Sequence, residues 1–296
     1  MIRGLTIGKY APLHLGHLRL IETALAEVDE LYVIIYNAPD HTDIPLNIRA
    51  NWIKSLYPEV NIIKAWDVPK DVGWTEEIQQ KHENYILSLI GPVKIDAFYS
   101  SEAYGHRMSK ALGCANRTVD IDRSVIEISG TVIRSNVYQY RQYLKPNVYE
   151  DHIISVGILG DHSHKMDKLL RSLTNLFNTP YIMLKSSSDH VLTDKFTEPL
   201  CATHEDLLMQ ANQFIFVQAE DTPTLNLDVL FVESGFDGKL STKTLRTLDS
   251  LRAMKKPYFI LKGTVEAQLC YIEGVLSTYK KYMNLADMIE FDNNIC

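Results

Sequence analysis

Apolar and polar positions alternate in blocks along the chain. An apolar opening at residues 2–7 runs into a glycine-bearing turn at 8–17 and then an amphipathic run at 18–28. That order predicts strand, turn and helix. Residues 31–36, rich in Val, Ile and Tyr, predict a strand, and 48–57 a helix that stops before Pro58. A strand at 60–65, a helix at 76–90 and a strand at 97–100 follow, then a short helix beginning at 108–112 and a short strand at 117–121. After Pro146 the pattern restarts, with strands at 152–159, 228–233 and 258–261 and helices at 165–177, 243–254 and 268–282. Alternation at this spacing predicts an α/β fold: parallel sheets covered by helices on both faces. The expected organisation is a Rossmann-like domain over 1–150 and a smaller α/β domain over 151–296. Ligands of such sheets bind beyond the carboxyl ends of the strands, where His14, Asn37 and Ser100 fall.

Composition narrows the partners. The chain has 296 residues, 46% of them hydrophobic, which suffices for two ordinary cores. A net charge of −7 argues against a nucleic-acid backbone as the main partner. The first motif begins almost at Met1, so no DNA-binding module is expected ahead of it. No signal peptide and no membrane-spanning apolar run is visible, so a membrane partner is not expected. The four cysteines lack metal-ligand spacing and read as reduced thiols of a cytoplasmic protein. No resident metal site is expected.

The candidate chemistry starts at Gly8-Lys9-Tyr10-Ala11-Pro12-Leu13-His14-Leu15-Gly16-His17. Two histidines flank a glycine where a helix should begin. A helix N-terminus presents unpaired N–H groups and partial positive charge, which favour anions. Gly16 would admit a phosphate close to the backbone. A lone His-x-x-His is often nothing, or a metal pair. A second segment changes the weighing: Ile128-Ser129-Gly130-Thr131-Val132-Ile133-Arg134-Ser135 places hydroxyls, a glycine and an arginine at another helix start.

The two segments resemble the paired signatures of the HxGH nucleotidyltransferases. Finer detail is similar to the nicotinamide-nucleotide adenylyltransferase domain of the NadR-type bifunctional proteins: the Gly8-Lys9-Tyr10 opening, Val28-Asp29-Glu30-Leu31, the element from Arg49 to Trp52, Gly73-Trp74, Tyr99-Ser100-Ser101-Glu102 and Asp120-Ile121-Asp122-Arg123-Ser124. The resemblance is good over residues 1 to 150 and fainter beyond. It implies ATP, with Mg²⁺, and nicotinamide mononucleotide as partners. His17 would contact the α-phosphate, His14 would support the phosphates, and Lys9 and Arg134 would bind the triphosphate. Ser129 and Thr131 would add donors; Gly8, Tyr10 and Gly16 would shape the nucleotide floor; Asp120 and Arg123 would border the adenosine. For the acceptor, Trp52 and Trp74 are candidates to stack on a cationic pyridine ring. Trp52, on an amphipathic helix, reads equally as core. Asn37 would bond the carboxamide or phosphate, and Arg49 either serves the substrate or caps a strand end. His41, His82 and His106 read as solvated.

In the family, a ribosylnicotinamide kinase domain follows. Here Val156 to Asp167 stands where a phosphate-binding P-loop should be. Lys165 survives one residue early, His164 replaces the glycine before it, and Met166 replaces the Mg²⁺-binding hydroxyl. Downstream, Glu233 keeps one carboxylate of an acidic pair and Gly235 loses the other. The second half therefore reads as a degenerate, P-loop-kinase-like domain without kinase activity. Two alternatives stay open for the chain: a nucleotidyltransferase for another phosphorylated acceptor, and an NAD- or ATP-sensing regulator without turnover. A homo-oligomer, with Tyr138, Tyr140, Tyr143 and Tyr149 at an interface, is also left open.

Overall fold

The structure, a computed structural model, describes residues 1–71, 73, 75–161, 163–184, 190–193, 204–219, 227–234 and 242–282. The chain divides into two units of equal length, Met1–Val148 and Tyr149–Cys296.

The first unit runs β1 (Arg3–Gly8), α1 (Leu15–Leu25), β2 (Glu30–Tyr36), α2 (Leu46–Leu56), β3 (Asn61–Ala65), α3 (Glu76–Ile90), β4 (Ala97–Ser100), α4 (Gly105–Leu112), β5 (Ala115–Thr118) and α5 (Gly130–Ser135). A short α6 (Pro146–Glu150) spans the junction. The five strands form one parallel sheet in the order β3-β2-β1-β4-β5. The chain winds outward from β1 through β2 to β3, then returns to the other side of β1 as β4. The order thus reverses between β1 and β4, and the crevice beyond their carboxyl ends is the natural ligand site of such a sheet. Central strands buried on both faces read as continuous apolar runs, as β2 does with Leu31, Val33, Ile34 and Ile35 all inside. Leu5, Ile7, Ile34 and Phe98 pack with Ile86, Ile90 and Met108 from the covering helices. At the edge, β5 is polar and exposed.

Two boundaries depart from the pattern for local reasons. α1 begins at Leu15, three residues before the apolar stripe, because His14 caps it. β5 ends at Thr118 and does not reach 121. Asp120 turns the chain with φ 49°, and its carboxylate accepts the N–H groups of Val125 and Ile126, each at 3.1 Å. That staples residues 120–126 into a loop.

The second unit contains β6 (Ile154–Leu159), α7 (His164–Phe177), β7 (Tyr181–Leu184), β8 (His190–Thr193), α8 (His204–Gln210), β9 (Phe214–Ala219), β10 (Val229–Glu233), α9 (Thr242–Ala253), β11 (Phe259–Leu261) and α10 (Val265–Thr278). Its sheet has the order β11-β10-β6-β9-β7-β8, parallel except for β8, which runs antiparallel to β7. β9 is wholly buried at the centre of the sheet, yet the hydrophobic pattern had not marked it. Among the described residues no helix is long and apolar enough to cross a membrane.

Candidate active site

The loop after β1 builds the site. Tyr10 takes the left-handed conformation, φ 46°, with its ring buried and its hydroxyl near Thr6 Oγ1 at 3.5 Å. A residue other than glycine is uncommon there and costs backbone energy, so the surrounding packing must hold it. The loop delivers His14 as the N-cap of α1. His14 Nδ1 accepts the Gly16 N–H at 3.1 Å, and His17 Nδ1 accepts the His14 N–H at 3.4 Å, a reciprocal capping box made with imidazoles. The rings stack with centroids 3.8 Å apart, and Tyr10 meets His17 edge-on at 4.9 Å. Gly16 is required by this fold of the ring: a Cβ there would lie 3.0 Å from His14 Cε1 and 3.1 Å from Nδ1.

The capping bonds decide the tautomers. A neutral imidazole that accepts at Nδ1 carries its proton on Nε2. His14 therefore keeps its Nε2–H for something other than the helix backbone, whereas the ring of His17 also hydrogen-bonds the backbone of Pro12. Burial pushes His14 down to about 4, and the charges of Arg123 and Arg134 push the same way. His17 is held well below its ordinary value by burial, then by His14, with a backbone hydrogen bond at Pro12 working against it.

The second motif docks onto this loop. Ser129 caps α5 by accepting the Val132 N–H at 3.2 Å. Arg134 donates to the Ala11 carbonyl at 2.8 Å and to Thr131 Oγ1 at 3.0 Å. A Cβ on Gly130 would sit 3.1 Å from Arg134 Nη1 and 3.8 Å from His14 Nε2, so the glycine permits the close approach. Lys9 lies near enough for Arg134 to help lower its pKa, although burial is the larger cause. Like charges held this close favour an anion between them.

These groups line one cavity of about 700 Å³ at the carboxyl ends of β1 and β4. Lys9, His14, His17, Arg123, Ser129, Thr131 and Arg134 all reach it, as do Gly8, Tyr10, Gly16 and Asp120. Asp120 spends its carboxylate on its own loop.

The acceptor candidates fare differently. Trp52 is core, with 3% of its surface exposed. Arg49 is 1% exposed and donates to the carbonyls of Ile44 at 3.1 Å, Tyr36 at 2.9 Å and Lys9. It ties the carboxyl ends of β1 and β2 together, the strand-capping arrangement that the sequence offered as one of its two readings. Asn37 bonds the Trp66 carbonyl at 3.4 Å and does not line the cavity. Trp74 lies outside the described residues.

The sequence reading missed the opposite wall. Gln79, His82, Glu83 and Ile86 face the cavity from α3, with Arg107 from α4 and Tyr36 and Tyr104 between. His82, taken as solvated, is part of this wall; His41 contacts Lys9 Nζ through Nε2 at 2.6 Å. The signal available in the sequence was spacing: 79, 82, 83 and 86 share one face of a helix.

A pH dependence follows from the histidines. The unfolded chain takes up their protons near 6.5, whereas in the folded chain His14 resists until pH falls to about 4 and His17 is likewise held well below its ordinary value. Stability should therefore be fully present above pH 6.5 and decline as the pH falls from there. Urea midpoints at pH 7.5, 6 and 5 should drop more steeply for the native sequence than for His14→Gln. Equal slopes would contradict the buried, neutral assignment.

Comparison with known proteins fits this geometry. Residues 5–136 match the cytidylyltransferase-like family, a span that runs from β1 through α5 and holds both motifs. The chain is similar to the trifunctional NAD biosynthesis/regulator protein NadR of Escherichia coli (strain K12), at 30% identity over 195 residues, and to that of Salmonella typhimurium (strain LT2), at 29% over 194. Each match covers 60% of this chain and 47% of the relative, so the chain spans about half the length of the curated relatives it matches. The solved structure of NadR protein in complex with NAD and AMP-PNP aligns over 96% of this chain and 98% of that one, with a TM-score of 0.50 and 15% identity. That likeness establishes the fold: a Rossmann-like α/β domain followed by a second α/β domain. The NadR-type resemblance carried by the motifs stands.

Proposed function

We propose that the first unit transfers the adenylyl group of MgATP to nicotinamide mononucleotide, producing NAD and pyrophosphate. The observation that carries this reading is the convergence of both motifs on one cavity, with Arg134 tied to the Ala11 carbonyl at 2.8 Å and Gly130 set against His14. The chemistry suits these groups. A phosphate oxygen of the acceptor attacks the α-phosphorus, the bond from that phosphorus to the bridging oxygen breaks, and pyrophosphate departs with the electron pair. The nucleophile is already an anion, so no general base is needed. The protein must align the reactants and stabilise negative charge on the transferred and leaving groups. Neutral His14 offers an Nε2–H donor with His17 stacked against it, while Lys9, Arg123 and Arg134 supply positive charge. The magnesium enters as part of the substrate. The names of the relatives support a pyridine nucleotide as the acceptor.

A panel of acceptors tests this reading. Nicotinamide and nicotinate mononucleotides and phosphopantetheine would be supplied with MgATP, and choline and glycerol phosphates with MgCTP. Turnover confined to pyridine mononucleotides is the expected result; a preference for phosphopantetheine or for CTP would overturn it.

For the second unit we propose loss of kinase chemistry. Lys165 Nζ is already paired with Glu233 Oε1 at 2.8 Å. Met166 is fully buried in the apolar core, where an Mg²⁺-binding hydroxyl would otherwise stand. Gly235 lies outside the described residues. Incubating the full chain with MgATP and nicotinamide riboside should give no phosphorylated riboside above background. Sustained formation of the mononucleotide would reverse this assignment.

A further inference from the structure

The chain leaves β1 and β2 side by side, since Gly8 pairs with Ile35 across the two strands. The loop after β1 carries Lys9 and the loop after β2 carries His41. His41 Nε2 and Lys9 Nζ meet at 2.6 Å. An ammonium has only protons to give, so the imidazole nitrogen must accept. His41 is then neutral, with its own proton on Nδ1. Its neighbours favour that state: burial, Lys9 and Arg134 all lower its pKa, and Asp40 pulls the other way. Lys9 is lowered by burial and by Arg134, while Glu102 and Asp40 support its charge. Both loops are tied down. His41 and Thr42 donate their N–H groups to the Ala38 carbonyl at 3.0 and 3.2 Å, and the Ile44 N–H reaches Thr42 Oγ1 at 3.1 Å, which closes the second loop as a turn. Arg49 then donates to the carbonyls of both Ile44 and Lys9. One buried guanidinium thus fixes the two backbones that bring His41 and Lys9 together.

We propose that His41 is a positioning residue that holds the Lys9 ammonium in place for the triphosphate. The inference rests on the reading of Lys9 and Arg134 as triphosphate ligands and deepens it. Lys9 lines the cavity and His41 does not, so His41 acts through Lys9. A lysine stem is long and flexible, and the charge of Arg134 pushes the ammonium away. Holding it in one rotamer before the ligand arrives removes an entropy cost from binding. The chemistry of the acceptor matters. A carboxylate in the place of His41 would hold Lys9 as well, but it would cancel the charge that the triphosphate needs and repel the triphosphate itself. A neutral imidazole orients the ammonium and leaves its charge intact. The ammonium keeps its other N–H donors for an anion.

Calorimetric titration of the full chain with MgATP, without acceptor, tests this. His41→Ala should weaken binding about fivefold, the upper range for a contact that is open to solvent. His41→Phe keeps a ring and loses the acceptor, so it should weaken binding as alanine does, and it carries the test if His41→Ala does not fold. His41→Gln restores an uncharged acceptor and should recover most of the loss. Lys9→Met supplies the decisive background. If His41 works only through Lys9, adding His41→Ala or His41→Phe to Lys9→Met should change MgATP affinity by less than about 1.5-fold. A merely structural role for His41 would cost the same in both backgrounds and would not be rescued by glutamine. Native or tighter MgATP binding by folded His41→Ala or His41→Phe overturns the inference, and so does an undiminished loss in the Lys9→Met background. Either result leaves the triphosphate reading of Lys9 in place. Native MgATP affinity in folded Lys9→Met, or no MgATP binding by the native chain, would remove that reading and this inference with it.

Discussion

Replacing His17 with alanine should lower kcat by about 10²- to 10³-fold, the usual loss when one donor to a developing oxyanion is removed. The KM for ATP should change far less, because on the proposed reading Lys9 and Arg134 would hold the triphosphate in ground and transition states alike. The reason is geometric. His17 is wedged between Tyr10 and His14, with centroids at 4.9 and 3.8 Å, and its Nδ1 is committed to the His14 backbone. The ring is thereby fixed before the substrate arrives, and a fixed donor costs nothing to reorganise during reaction. Because His17 also caps α1, the variant must be compared at a temperature where circular dichroism shows it folded. His17→Gln, which can restore a donor, should recover part of the rate. A kcat within threefold of native for folded His17→Ala would contradict the role.

Arg49 supplies the second large effect, and it is an effect on stability. Its guanidinium is buried and held by three backbone carbonyls, with no carboxylate partner among the described residues; burial lowers its pKa to about 10. Arg49→Met would leave those carbonyls at the ends of β1 and β2 without their donor. Each orphaned buried group costs about 1–3 kcal/mol, so a total of about 3–9 kcal/mol is expected for the three. For a chain of this size that lowers Tm by roughly 10 °C or more. Acceptor KM, measured well below the new Tm, should remain near native. Native stability with a sharply raised acceptor KM would restore Arg49 to the substrate site.

These two residues mark what the sequence could reveal. The His14–Gly16–His17 turn was legible because its physics is local. A cap, a glycine under a ring and a helix start lie within four residues. Arg134 was legible as a cation at a helix start, but its bond to Ala11 spans 123 positions and needed the fold. Arg49 carries no local sign that separates a phosphate-binding guanidinium from one that ties strand ends. The carbonyls that claim it come from the loop before α2 and from two other strands. Trp52 shares its burial with Leu46, Ala50 and Ile53 on α2, a stripe whose period gives amphipathicity without saying which member is substrate-facing. β9 escaped for another reason. Phe214–Ala219 is a six-residue run, apolar but for Gln218, too short and too uniformly buried for periodicity to tell strand from helix. The wall of α3 and α4 has no motif at all. It forms only when the fold brings Glu83 and Arg107, 24 positions apart, into a direct ion pair.

The most direct test of the central claim is pyrophosphate release by the full chain with MgATP, with and without nicotinamide mononucleotide, while NAD is measured in the same reaction. Equimolar pyrophosphate and NAD, dependent on the mononucleotide and lost in His17→Ala, is the predicted result. Measurable binding of ATP or NAD with neither product formed would contradict it and identify the cavity as a sensor of nucleotides.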